Sequence, residues 1–298
     1  MKKIGLILIL FLLPAFVWAQ AGSTGLIVLK SGMGGKSAAL GDAVVAANNG
    51  ALSTYWNPAG LTSAENEIVF GHSEYIQDVS YEFIAIKFDG YNANWGLSLH
   101  VQNVDNIAHR TQATPEPLST FSEHEVVAGL SYARMLSPNL AFGTTIKYIT
   151  ERHFSYTSKG AALDLGFNYL ALIKNLDLGL SFHNLGSISE LREEATKLPA
   201  LLRAGAFYKL DKEMAQSNLG LFATYTKIFE NDGYAGLGVE AITRDILALR
   251  LGYQLGRDSQ DISAGVGLKI QRYQLDYAYV PFSYDLGDTH RLSFSLSL

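Results

Sequence analysis

The strongest regularity in the chain is an alternation of apolar and polar positions that begins near residue 66 and continues to the end. Ala161, Leu163, Leu165, Phe167 and Tyr169 are separated by Ala162, Asp164, Gly166 and Asn168. Leu176, Leu178, Leu180 and Phe182 alternate with Asp177, Gly179, Ser181 and His183. The pattern returns as Leu247, Leu249, Leu251 and Tyr253, as Ile262, Ala264, Val266 and Leu268, and last as Leu292, Phe294, Leu296 and Leu298. A period of two places each set on one face of a β-strand. It predicts fourteen strands, near 66–74, 79–88, 93–102, 121–135, 139–151, 159–170, 174–184, 199–210, 217–228, 233–242, 245–255, 261–270, 272–282 and 289–298.

Soluble sandwiches also alternate, but three features favour lipid. The segments are about ten residues long, the length a tilted strand needs to cross a bilayer. Tyr148, Tyr169, Tyr208, Tyr225, Tyr253 and Tyr279 recur near strand ends, as in an interfacial aromatic girdle. The polar phase is rich in glycine, serine and scattered charge, the expectation for a wet barrel lumen. Loop lengths sort by side as well. With the N-terminus in the periplasm, the long connections 103–120, 152–158, 185–198 and 283–288 all face outside. The tight ones, Asp89–Asn92, Leu136–Pro138 and Thr243–Arg244, face inside, and only 211–216 departs from this order. The fold predicted is an all-β, 14-stranded antiparallel transmembrane β-barrel. Its last strand must pair with its first, because an open edge cannot persist in lipid.

Residues 1–19 read as an export signal: Lys2 and Lys3, an apolar run from Ile4 to Val17, and the small residues Val17 and Ala19 ahead of Gln20. The run is shorter than the roughly 20 residues of a spanning helix, so cleavage before Gln20 is expected, with delivery to the bacterial outer membrane. The chain has no cysteine, which excludes lipid attachment at the cleavage site and any disulfide. Net charge is −5 with both signs dispersed, so there is no basic footprint for nucleic acid.

Residues 20–65 do not alternate and are expected to form an N-terminal plug ahead of a barrel at 66–298. Ser37 to Ala47 predicts a short helix carrying Gly41 and Ala43, and Asn48-Asn49-Gly50 a break. In the run Tyr55 to Leu61, Pro58 biases Asn57 toward an extended conformation and Gly60 permits a tight turn. Trp56 and Asn57 read as residues that hold the plug.

The stretch GMGGKSAALGDAVVAANNGALSTYWNPAGL resembles the N-terminal signature of the PorV/PorQ family, within the wider group of FadL-like outer-membrane barrels. Gly41 and Ala43 match its helix, and Trp56 to Leu61 its W-N-P-A-G-L turn. Residue-level similarity covers 30–61, and similarity of layout the whole mature chain. The resemblance implies a plugged barrel in contact with outer-membrane lipid, in one of two roles. The first is a binding and shuttle component for type IX protein secretion, meeting exported proteins or other secretion subunits through loops 103–120 and 185–198. The alternative is a FadL-like channel for hydrophobic small molecules. That role predicts an apolar pocket or a lateral gap from lumen to lipid, and a lumen packed solidly by plug and charges would remove it.

Other chemistry is thin. Lys30 to Ser37 (KSGMGGKS) approximates a phosphate-binding loop but has lysine where the first glycine belongs. The seven histidines lack metal-ligand spacing. His153 and Ser155 could be a base and a nucleophile, but no orienting group or oxyanion site accompanies them. No catalytic, cofactor or metal site is assigned, and the expectation is that the protein is not an enzyme. Asp164, Asp177, Arg203, Arg250, Lys269 and Asp276 fall on the lumen-facing phase, where charges are expected to pair with one another and with the plug. In the loop 185–198, Glu190, Arg192, Glu193, Glu194 and Lys197 suggest a short helix.

Overall fold

The computed structural model describes residues 25–298 except 48–49, 64, 77, 192–195, 212–216, 230–231, 258 and 285. The expected signal segment 1–19 and its cleavage site lie outside the described residues, as do Arg192, Glu193 and Glu194 of the expected loop helix.

Fourteen antiparallel strands close into one barrel. They are β1 Glu67–Glu74, β2 Val79–Gly90, β3 Ala93–His109, β4 Ser119–Ser137, β5 Leu140–His153, β6 Tyr156–Ile173, β7 Leu176–Ile188, β8 Leu201–Lys209, β9 Ser217–Ile228, β10 Gly233–Thr243, β11 Leu247–Leu255, β12 Ile262–Ile270, β13 Tyr273–Pro281 and β14 Asp288–Ser297. Each strand pairs with its chain neighbours. The ring closes through β1 and β14, from Glu67 opposite Ser297 to Glu74 opposite His290. Closure satisfies every ladder hydrogen bond without water, which is what lets strands cross a bilayer.

The alternation becomes the two sides of the wall. Leu249, Leu251 and Ile262 face outward with 52%, 64% and 59% of their surface exposed, while Ala248, Arg250 and Ser263 are buried inside. An apolar outer band of this kind is stable only against hydrocarbon.

Several strands are longer than the alternation predicted. β3 has 17 residues and β4 has 19, so the expected loop 103–120 is largely a projecting hairpin, with a bulge between Val104 and Ile107. The expected loop 152–158 is a tight turn at Phe154–Ser155 between β5 and β6. Beyond the bilayer, water solvates both faces, so pairing continues with no apolar phase to announce it.

Ahead of β1 the chain threads the lumen. A 3-10 turn at Ile27–Leu29 leads to helix α1, Gly35–Ala39, which packs against β12 and β13. A second turn, Gly50–Leu52, runs into helix α2, Ser53–Trp56. A last 3-10 segment, Pro58–Ser63, lies against β4, β5 and β6. The helix expected over Ser37–Ala47 is confined to its first residues. Gly41 and Asp42 both take positive φ, 63° and 59°, and end it. A left-handed residue is a helix terminator, and wall contacts outweigh the propensity of the alanines that follow.

Candidate functional site

The plug and the wall that grips it are the only extensive interior the described residues form, and the wall glycines make that contact possible. A Cβ added at Gly143 would collide with the backbone of Pro58 and Ala59, and one at Gly166 with Asn57 Oδ1. At Gly179 it would lie 2.5 Å from the Val45 carbonyl oxygen. At Gly41, on the plug side, it would meet the Tyr253 and Leu237 backbones at 3.0 and 3.1 Å. At these positions the inward phase is therefore not the wet lining that the sequence suggested, although Ser293, Ser295 and Ser297 do line an open polar cavity. Gly143, Gly166 and Gly179 are seats for the plug, and Ser131, Thr145 and Ser181 have no exposed surface.

The Trp56-Asn57-Pro58 run carries the densest anchoring. Asn57 is extended (φ −166°, ψ 105°), as a residue before proline prefers. Its amide donates to Val45 O at 3.0 Å, to Phe167 O at 3.2 Å and to Asn168 Oδ1 at 2.6 Å, while its oxygen accepts from Ala59 N at 3.2 Å. One side chain thus ties two plug segments to β6. Trp56 is 1% exposed, donates Nε1–H to Met33 O at 3.0 Å, and lies edge-on to Tyr55. The Arg203 guanidinium stands 4.9 Å from the Trp56 ring and 5.3 Å from that of Tyr55. A desolvated cation over an aromatic face is worth about 2 kcal/mol. Tyr55 donates its hydroxyl to Ser31 O at 2.5 Å, and burial pushes its pKa up to about 12 against the opposing pull of Arg203. Ala43 is buried in the same apolar cluster. At Gly60 no turn requires glycine; a Cβ would instead crowd Ser53 Oγ at 2.7 Å.

Beneath α2 runs a buried polar chain. Ser181 Oγ donates to Trp56 O at 3.3 Å and lies 2.8 Å from His183 Nε2. His183 Nδ1 is 3.0 Å from Asp164 Oδ2, which also receives Lys147 Nζ at 2.6 Å. Lys147 donates on to Asn184 Oδ1 at 2.9 Å, and Asn184 Nδ2 to Pro199 O at 2.8 Å. Hydroxyl, imidazole and carboxylate stand in the order of a hydrolytic relay. Yet Ser181 is sealed under the Trp56 carbonyl, and no substrate carbonyl reaches Oγ with the plug in place. In this arrangement the chain of bonds holds the plug down.

Other charges of the inward phase meet around Asp276. Arg250 bridges Glu240 and Asp276, each at 2.6 Å. At the end of the barrel where β1 begins, Lys269, Asp276, Lys36 and Glu67 line an open polar cavity of about 310 Å³. Asp177 accepts from Ala171 N at 2.8 Å and closes the turn between β6 and β7. The His153–Ser155 pair is not assembled: His153 Nδ1 faces Glu123 Oε2 at 3.1 Å. Lys147, His183 and Asn184 are not among the lumen charges expected from the sequence, although His183 lies in the alternating run 176–183. Lys147 and His183 share the inward phase of their strands with Asp164, but that phase alone does not say which charges meet.

The upper plug is apolar. Leu26, Val28, Leu29 and Met33 form one buried cluster with Tyr81, Phe83, Val127 and Ile149 of β2, β4 and β5. A void lined by Ala38, Asp42, Gln254 and Arg291 has only about 10 Å³. The concavities of about 500 and 570 Å³ over β8–β13 lie on the lipid side, lined by Leu221, Val239, Leu249 and Leu251.

These features define a plugged, lipid-facing barrel of the outer-membrane type. No protein-family model matches the chain, and no curated protein does so at the sequence level. Solved structures do. The CymD monoaromatic hydrocarbon channel superposes with a TM-score of 0.63 at 13% identity, over 90% of this chain and 98% of that one. The Pseudomonas putida toluene transporter TodX gives 0.59 at 11% identity, over 89% and 96%. A Pseudomonas aeruginosa FadL homologue gives 0.56 at 11% identity, over 89% and 98%. At these identities what is shared is the fold: a closed 14-stranded barrel like those of the FadL-type channels.

Proposed function

We propose that the protein is a gated conduit for hydrophobic small molecules across the bacterial outer membrane. The observation that carries this reading is the apolar wall around the upper plug. Tyr81, Phe83, Val127 and Ile149 share one buried apolar cluster with Leu26, Val28, Leu29 and Met33, and Glu125 accepts from Val28 N at 2.9 Å beside it. A porin for polar solutes needs a hydrated lumen. Here, withdrawal of the segment Leu26–Met33 uncovers a surface that an apolar solute wets better than water does. The hydrocarbon channels of similar fold support the same reading. The plug is seated against β4, β5 and β6, with an open polar cavity left at one end of the lumen, so transport requires the plug to move. The kinship with the PorV/PorQ branch, and the secretion role it implies, rests on the sequence resemblance alone.

A disulfide tests the movement. A Cβ at Gly25 would lie 2.7 Å from Thr196 Cγ2, within reach of a disulfide between Gly25→Cys and Thr196→Cys, and the chain has no cysteine of its own to interfere. Uptake of an aromatic and an aliphatic hydrocarbon is followed in cells carrying the barrel. The expected result is uptake above that of cells lacking it, slowed by oxidation and restored by reductant. Uptake equal to that of cells without the barrel, in both redox states, overturns the conduit. Uptake above that control but indifferent to the disulfide overturns movement of Leu26–Met33.

A further inference from the structure

We propose that the outer half of the lumen holds a binding site for one hard divalent cation, of the calcium class, built from Glu123 and Glu125 of β4, Glu151 of β5 and the amide oxygen of Gln102 of β3. Each glutamate offers a carboxylate oxygen, and the three oxygens lie within 4.8 Å of one another. Calcium–oxygen bonds run 2.3–2.6 Å, so oxygens about 4.6–5.2 Å apart are opposite ligands of one ion, and closer ones are neighbours. The spacing suits a shared cation.

Strand register explains the convergence. Gln102 stands opposite Glu125, and Glu125 opposite Glu151, in one row across three strands on the inner face. Like charges directly opposite on paired strands repel, and burial sharpens the repulsion. The hydrogen bonds on hand do not quench it. Glu125 accepts Val28 N through Oε2 at 2.9 Å, and Glu123 faces His153. Two buried oxygens find no partner among the described residues: Glu151 Oε2 and Gln102 Oε1, the latter on a side chain only 2% exposed. The glutamine is independent of the acidic cluster, and its orphaned acceptor is what a cation satisfies and a proton shared between carboxylates does not.

Charge and donor type agree. The plug's Lys30 interacts electrostatically with Glu125 and His153 faces Glu123, which leaves Glu151 as the carboxylate with a partnerless oxygen for the ion. An all-oxygen set of carboxylates and an amide selects calcium- or magnesium-like ions over zinc or copper. Because Glu125 also holds the first plug turn through Val28, the ion would sit at the joint between plug and wall.

The test is calorimetric titration of Ca²⁺ into the barrel refolded in detergent, free of lipopolysaccharide and its own cation sites. One Ca²⁺ per barrel is expected, with a dissociation constant of order 10⁻⁴ to 10⁻³ M, as in extracellular calcium modules. Glu151→Gln removes a charge without breaking a hydrogen bond of its Oε2, and should weaken binding at least tenfold. Glu125→Gln, which keeps an acceptor for Val28 N, should do the same. Gln102→Leu should weaken it less. Asp211→Asn, on an exposed turn elsewhere, should leave it unchanged. Heat-modifiable gel mobility confirms that each variant is folded. Absence of binding by the folded wild type up to about 10 mM, well above that calcium-module range, overturns the site. Equal binding by wild type and folded Glu151→Gln overturns it as well.

Discussion

Replacing Lys147 with methionine should loosen the plug while leaving the barrel closed. Lys147 and Asp164 are 5% and 0% exposed and meet at 2.6 Å, with His183 and Asn184 completing their hydrogen bonds. Methionine fills the space of the lysine stem but leaves the carboxylate without its cation, held only by the His183 ring and the Asn184 backbone N–H. Breaking a buried ion pair from one side costs about 3–5 kcal/mol, a shift of at least a hundredfold in the folding equilibrium. The measurement is urea unfolding of the refolded barrel followed by tryptophan fluorescence. Trp56, buried beside Arg203, reports the plug, and Trp95 on β3 reports the wall. The Trp56 transition should move to lower urea ahead of the wall transition. The double variant Lys147→Met/Asp164→Asn, which removes the stranded charge but keeps an acceptor for Asn184 N, should recover at least half of the loss. A single variant within about 0.5 kcal/mol of wild type, or a double variant no better than the single, would refute the view that this pair clamps the plug.

Gly166→Val should expel the Asn57–Pro58 turn, since its Cβ alone overlaps Asn57 Oδ1 and comes within 2.8 Å of Pro58 Cδ; the readout is ion leakage through reconstituted barrels of normal gel mobility. Tyr55→Phe should cost about 1 kcal/mol by removing the bond to Ser31 O. Because burial raises the Tyr55 pKa to about 12, its protonated form is the one the fold favours. That contribution is whole below the unfolded value near 10, is lost as pH rises toward 12, and should be missing from alkaline unfolding curves of the variant. Leu251→Arg, at an outward position 64% exposed, should cost about 2–4 kcal/mol in a bilayer and little in a polar detergent shell; equal stability in both would place that face away from hydrocarbon.

The barrel was legible in the alternation because period two is the geometry of a strand, and strand pairing follows chain order. The strand ends were less so: β3 and β4 extend beyond the alternating run, across a bulge at Val104/Ile107, and are joined there by polar pairs such as Ser122–Asp105 and His124–Asn103 as well as by the backbone ladder. In the plug, Pro58 forecast an extended Asn57, and the conformation agrees. The helix over Ser37–Ala47 failed because Gly41 and Asp42 turn left-handed against β10 and β11, a contact that local propensity does not contain.

By itself the sequence determined a 14-stranded wall, its inward and outward phases, and the presence of a non-alternating segment before it. Tertiary structure decided what the inward phase is for. Gly143, Gly166 and Gly179 read equally well as a wet lining or as seats for a second backbone. Gln102, Glu125 and Glu151, far apart along the chain, become a row only when β3, β4 and β5 fall into register. Phase along a strand is a local property carried by the residues themselves. Which polar groups meet across a lumen depends on register and closure, set by the whole ring at once.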